Sequence, residues 1–390
     1  MTENRNVWID YLRSYLTVLV VAHHSTLAYT TFASFDKEVY INSTHPIVDM
    51  ERWIGLDIFV SFNDIFFMSL MFLIGGLFLS KSIMKKGTIN FLLDRIYRLF
   101  IPFLFLGTAF MLIAYFPAYY VSHNNLDLCA YIRDFFTVEG WPVGPPWFLW
   151  VLFFFNVLFV LVNPIVQKYK PEVNVLTNNF SRKPLLLFFV LVLFTWIAYV
   201  PIAHIVGAGT WIGWLPFDFQ LSRFLLYFVY FMIGVLIGNT SFNEKLFSKS
   251  SLIVDKWWLW IILSLGIFVS LVISSLYLSE MVMNNQIKEF HVLMISFALF
   301  VLSCVSSCLA FITVFRKFAV RNIKWWNSLS GNAYLIYLIH YIFVVWIQFF
   351  LMKYELPAFV KFAITFVFAL ALSWITSSLL RKIKVVKRYL

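Results

Sequence analysis

The chain has 390 residues, 62% of them hydrophobic and 13% charged, with a mean hydropathy of +0.83. Too little polar surface remains to coat a soluble globule, so a polytopic membrane protein is predicted and an assembly of soluble domains is excluded. The net charge of +11 would suit a nucleic-acid partner in a soluble protein. Here the basic residues recur at every second connector, as membrane insertion requires, and no nucleic-acid partner is expected.

Apolar segments long enough to cross ~30 Å of hydrocarbon run at 8–30, 53–80, 97–116, 146–166, 185–205, 221–238, 257–278, 291–315, 331–352 and 358–380. They predict an all-α fold: one bundle of ten transmembrane helices, a single domain over 1–390 with short cytoplasmic tails. An even number of spans puts both termini on one side. Alternating the connectors from a cytoplasmic N-terminus collects Arg5 and Arg13, Lys81, Lys85, Lys86, Arg95 and Arg98, then Lys168, Lys170, Arg182 and Lys183 on that side. Lys245, Lys249, Lys256, Arg316, Lys317, Arg321 and Lys324 follow, and finally Arg381, Lys382, Lys384, Lys387 and Arg388. Most of the 30 lysines and arginines are thereby cytoplasmic, which predicts an N-in, C-in topology. The last basic run is also expected to rest on anionic lipid headgroups.

The first span, Trp8 to Tyr29, carries Arg13, His23 and His24 and is followed by no small-residue cleavage site, so it reads as a retained helix rather than a cleaved signal. Arg13 and His24 are eleven residues apart. At ~100° and ~1.5 Å per residue they return to within about 20° of one direction after ~16 Å, so they share a helix face, with Asp10 one turn before Arg13. An ionisable group left unpaired at the centre of a span costs at least ~2.5–3.5 kcal/mol, so such groups need partners or a function. His23 points ~100° away from His24 and is expected to pack or orient.

In the second span Asp57 and Asp64 are seven residues apart on one face, beside Asn63. They suit a polar cavity wall, a partner for Arg13 or a histidine, or a proton relay. Arg95 and Arg98 open the third span. Anchoring at the cytoplasmic interface explains them, but with Arg13 at similar depth three guanidiniums can gather, and their forks suit the phosphate oxygens of a phosphorylated donor. The outer connectors 31–52 and 117–145 are candidate acceptor-side lids. The second runs into Trp141-Pro142-Val143-Gly144-Pro145-Pro146-Trp147, where the prolines stop one helix and admit another near Pro146, predicting an irregular entry beside a site or a plain loop with interfacial tryptophans. In the ninth span Tyr334, Tyr337 and His340 follow a spacing of three after Asn332, a polar stripe that reads equally as packing or as a cavity wall. Cys304 and Cys308 read as small-residue packing and Cys129 as a lone outer residue; neither a disulfide nor a metal is expected.

Ile9-Asp10-Tyr11-Leu12-Arg13 followed by His24 resembles the arginine-to-histidine signature of the membrane acyltransferase-3 family. Further stretches agree in order: Phe66-Phe67-Met68-Ser69 before Gly75-Gly76, Arg95 and Arg98 before Pro102, Trp147-Phe148-Leu149, and Gly331-Asn332 to His340. The resemblance spans essentially the whole chain. One departure is Ser69-Leu70, where the family usually has serine-glycine, and it bears on helix packing rather than chemistry.

The resemblance implies transfer of an acyl group from a cytoplasmic acyl-CoA, acetyl-CoA favoured and succinyl-CoA second, to a hydroxyl of an extracytoplasmic envelope carbohydrate, in the bacterial cytoplasmic membrane. Arg13, Arg95 and Arg98 would hold the anionic donor. His24 would act as general base, its tautomer fixed by Asp64 or another polar neighbour, or else carry the acyl group itself. Asp10, Asp57, Trp147, Tyr337 and His340 would support the site or line its acceptor side. With no appended esterase-like domain, transfer is expected to be completed by the membrane domain or passed to a separate protein. A transporter or flippase of an envelope precursor or small anion shares the many spans and buried charges and needs no donor; a membrane scaffold for envelope synthesis is a third reading.

Overall fold

The computed structural model describes residues 6–390, apart from the side chain of Ser279; Arg5, one of the predicted cytoplasmic cations, lies outside the described residues. The fold is 77% helical. Ten long helices follow in order: α1 (Val7–Leu27), α2 (Ile54–Gly76), α3 (Thr88–His123), α4 (Trp147–Lys168), α5 (Pro184–Val206), α6 (Leu221–Gly238), α7 (Trp257–Met283), α8 (Glu289–Phe318), α9 (Lys324–Leu351) and α10 (Ala358–Leu380). Among the described residues, nine of these, α2 to α10, are long and apolar enough to cross a membrane. The exception is α1, also predicted to span, whose 21 residues include Asp10, Arg13, His23 and His24. It can sit in the bundle because α2, α8, α9 and α10 pack around it and cover its histidines, while the half-exposed Arg13 is paired with Asp10 near its start.

Packing explains which helix neighbours which. Without a hydrophobic drive between helices inside lipid, close approach depends on small side chains. Where α2 crosses α6, a Cβ at Gly234 would lie 2.0 Å from the Leu73 carbonyl oxygen, and one at Gly238 would lie 1.8 Å from that of Leu77. Only glycine lets the two backbones meet there. At the periphery α7 packs chiefly on α8 and turns Ile262, Leu265, Val269, Ile273 and Leu276 outward, as a lipid-facing helix should.

The third span is longer than its apolar core suggests. It begins at Thr88 and its backbone widens to π-helical turns over Ile96–Phe100 and Pro102–Gly107 before regular helix resumes to His123. Pro102 supplies a cause, since it lacks an N–H and its ring crowds the preceding turn. The connector predicted over 117–145 is correspondingly shorter and holds a further helix, Leu128–Thr137, begun by the Asp127 carboxylate accepting from the Cys129 and Ala130 amides. Beyond it the chain is irregular, with positive φ at Gly140 (62°), Trp141 (59°) and Gly144 (52°). Between α5 and α6 a two-residue hairpin pairs β1 (Trp211–Ile212) antiparallel with β2 (Phe219–Gln220).

Candidate active site

His24 occupies the fifth turn of α1, facing α9. Its Nδ1 lies 2.9 Å from the Val20 carbonyl oxygen and 3.1 Å from Nε2 of His340. His340, fully buried, in turn places its own Nδ1 2.7 Å from the Tyr337 carbonyl oxygen. A carbonyl only accepts, so His340 is assigned its proton on Nδ1 and offers Nε2 as an acceptor. His24 must then carry its proton on Nδ1, leaving its own Nε2 with a lone pair that meets no hydrogen-bond donor among the described residues. The groups that order the His24 ring are thus the Val20 carbonyl and His340, not Asp64.

His24 forms part of the wall of a cavity of about 630 Å³, a size ordinary for a small-molecule site. Three connectors build the rest: residues 41–44 after α1, residues 143–145 after α3, and residues 211–218 after α5. All three follow odd-numbered helices, so alternation puts them at one end of the bundle. Trp147 and Trp211 line the cavity with their rings edge to face at 5.4 Å, and Tyr115 and Tyr341 add further aromatic wall. Tyr337, expected on the acceptor side, lies outside this wall. Its hydroxyl donates to the Pro145 carbonyl and so fixes the irregular 141–146 turn. At Gly144 a Cβ would fall 2.4 Å from Met111 Sδ, which leaves glycine as the fitting residue on both steric and dihedral grounds.

The arginines lie toward the other end. Arg13 pairs with Asp10 at 3.3 Å and is half exposed. Arg98 pairs with Asp94 at 3.1 Å and donates to the Arg388 carbonyl at 3.4 Å. The Arg95 guanidinium stacks over Phe91 at 4.9 Å, and its buried Nε has no partner among the described residues. No ion pair or hydrogen bond joins Arg13 to the other two among the described residues, but α9 brackets them. Ser330 donates to the Asp10 carbonyl at 3.2 Å, and one turn later the Tyr334 hydroxyl donates to the Arg98 carbonyl. Arg13 and Arg98 therefore sit at one level, about three turns of α1 from His24.

A family profile described as an acyltransferase domain matches residues 6–378, nearly the whole chain. The chain belongs to the acyltransferase-3 family. It is accordingly a multi-pass membrane acyltransferase. No curated protein and no solved structure matches it.

Further polar groups of the acyltransferase brace its helices and the cavity end. Asp64 takes a bidentate grip from Arg223, a buried arginine of α6, through Oδ2 at 2.6 Å and the Asp64 carbonyl at 2.9 Å. Asp57 accepts from the amide of Thr31 at 2.8 Å and from its hydroxyl, closing the connector after α1. Asp49 in that connector forms a buried ion pair with Lys361 of α10, at 2.7 and 2.8 Å. His45 donates from Nε2 to Gln348 Oε1 at 2.6 Å, and the Gln348 amide spans back to the carbonyls of His24 and Ser25 at 3.3 and 3.2 Å. Burial pushes the His45 imidazole down to about 4, so it stays neutral and can accept from the Tyr341 hydroxyl at 3.3 Å. Glu139 accepts from the amides of Tyr40 and Ile41 at 3.1 and 2.6 Å, and burial raises its carboxyl to about 7.

Arg223, His45, Gln348, Lys361 and Glu139 were not singled out by the sequence. Arg223 carried the one usable signal, a guanidinium just inside an apolar span opposite a span with an unpaired aspartate. The others depend on contacts up to about three hundred residues apart, such as His45 with Gln348, which no local pattern encodes.

Proposed function

We propose that this acyltransferase moves an acyl group, acetyl in preference to succinyl, from a cytoplasmic acyl-CoA to a hydroxyl of an extracytoplasmic envelope carbohydrate in the bacterial cytoplasmic membrane. The observation that carries the reading is the unpartnered Nε2 of His24, a cavity-wall histidine whose other nitrogen is tied to His340. In this reading the acceptor hydroxyl enters the cavity and Nε2 takes its proton as the oxygen attacks the thioester carbonyl. A carbon–oxygen bond forms, the carbon–sulfur bond breaks, and the CoA thiolate leaves and is protonated by the His24 imidazolium. General-base assistance of this kind contributes on the order of 10²–10⁴-fold.

Arg13, Arg95 and Arg98 would hold donor phosphates at the opposite end, on the orientation predicted by the basic connectors. Their level, about three turns of α1 from His24, supports a donor that approaches from one side while the acceptor waits on the other. The test uses membrane vesicles supplied with acetyl-CoA labelled in the acetyl group. Label bound covalently to glycan with the intact chain, and none with His24→Ala at equal protein level, is the expected result. A substrate that accumulates in the vesicles without covalent change contradicts acyl transfer and favours a transporter.

A further inference from the structure

The charge of the cavity wall constrains the acceptor. Of its lining residues only Asp218 carries a formal charge; His24 is neutral by its hydrogen-bond chain, and no lysine or arginine contributes. Asp218 lies in the connector between β1 and β2, packed against Gly213, where an added Cβ would come 2.0 Å from its Oδ1. Its backbone carbonyl is taken by the Trp150 indole at 2.9 Å, which fixes the turn. Its carboxylate makes no ion pair or hydrogen bond with the described residues. Around it stand Trp147 and Trp211, with Asn42, Ser43 and Thr44 across the opening.

An anionic acceptor entering this space would meet a fixed negative charge and no compensating cation, a like-charge encounter that partly buried surroundings screen little. A neutral polyhydroxylated ring meets the opposite situation. Its hydroxyls can donate to the carboxylate, and its C–H faces can lie on the indoles.

We propose that Asp218 is a specificity-determining residue, accepting hydroxyl hydrogen bonds from an uncharged sugar and turning away sugars that bear a carboxylate or phosphate on the residue to be acylated. The proposal rests on the reading of this cavity as the acceptor site. Gly213 keeps the carboxylate in place by leaving room for it.

The experiment compares envelope glycans by mass spectrometry from cells producing the intact chain, His24→Ala, Asp218→Asn, Asp218→Glu or Gly213→Ala, each at matched membrane level. The expected product is a His24-dependent acyl group on an uncharged sugar residue. Asp218→Asn lowers its yield about tenfold or more, the scale for losing a charged hydrogen-bond acceptor. Gly213→Ala lowers it in the same direction, and Asp218→Glu retains more of it than Asp218→Asn. A His24-dependent acyl group on a sugar residue that itself carries a carboxylate or phosphate overturns the proposal while leaving acyl transfer intact. So does a wild-type yield from Asp218→Asn. Absence of any His24-dependent acyl group overturns the acyl-transfer reading itself, and the proposal with it.

Discussion

In the proposed reaction His24 is the base and His340 holds its ring. Removing His340 leaves His24 Nδ1 only the Val20 carbonyl and loosens the ring against α9, so His340→Ala should lower kcat by on the order of tenfold or more while leaving the KM for acetyl-CoA nearly unchanged. His340→Gln, which keeps an acceptor oxygen near the same place, should recover part of the loss; equal loss in both variants would contradict an orienting role. At the proposed donor end, Arg13→Lys keeps the charge but not the fork, and should raise the KM for acetyl-CoA more than it lowers kcat. An unchanged KM would leave Arg13 as an interfacial anchor paired with Asp10. The Arg13 and His24 face and the His340 stripe were legible because helical period alone places them. That the two histidines touch was not, since 316 residues separate them.

At the scale of elements, the connector between α1 and α2 is held by four separate devices: Asp57 on Thr31, Asp49 with Lys361, His45 with Gln348, and Glu139 on the Tyr40 and Ile41 amides. The ion pair of Asp49 with Lys361 is buried, with side chains 3% and 2% exposed. Lys361→Met leaves a lone buried carboxylate and should destabilise the fold by ~3–5 kcal/mol, whereas adding Asp49→Leu should restore most of that loss in thermal unfolding. Glu139 makes the same connector sensitive to pH. Its folded value of about 7 exceeds the ordinary 4.5, so the folded state keeps its proton longer than the unfolded chain. The contribution is therefore greatest below pH 4.5 and is lost as the pH rises through 7. Melting temperatures should accordingly be higher at pH 5 than at pH 8 by a margin that shrinks in Glu139→Gln; an unchanged margin would remove Glu139 as the cause. The α2–α6 crossing makes a steric prediction: Gly234→Val forces a Cβ onto the Leu73 carbonyl and should lower the yield of folded protein in membranes severely, while Gly266→Ala, in the regular helix α7 with open space around its added Cβ, should cost far less. Span positions were legible from hydropathy, and eight of the ten helices begin within about two residues of the sequence reading. The early start of α3 was not, because Thr88 to Arg95 is amphipathic rather than apolar and its extension depends on Arg95, Asp94 and Lys86 finding partners.

For the whole molecule, the connectors sort into two ends consistently. Those after α1, α3 and α5 build the cavity, while Arg98, Arg388 and the start of α9 meet at the other end. Alternation of the connectors predicts two such ends, although charge counting alone does not reveal that these three converge on the cavity beside His24. Orientation can be read from a native probe. Cys129 is exposed on the short helix after α3, and Cys304 and Cys308 are buried. A membrane-impermeant maleimide should label Cys129 in intact spheroplasts; labelling only after lysis would reverse the topology.

The central claim is that His24 acts as the base for transfer of an acyl group from a donor on one face to an acceptor on the other, and inverted membrane vesicles test it most directly. Acetyl-CoA added outside such vesicles reaches only the cytoplasmic face. With the intact chain, labelled acetyl should appear on glycan inside the lumen, protected from an added esterase until the vesicles are opened, and His24→Ala should abolish it. Equal luminal labelling by His24→Ala and the intact chain would contradict the account.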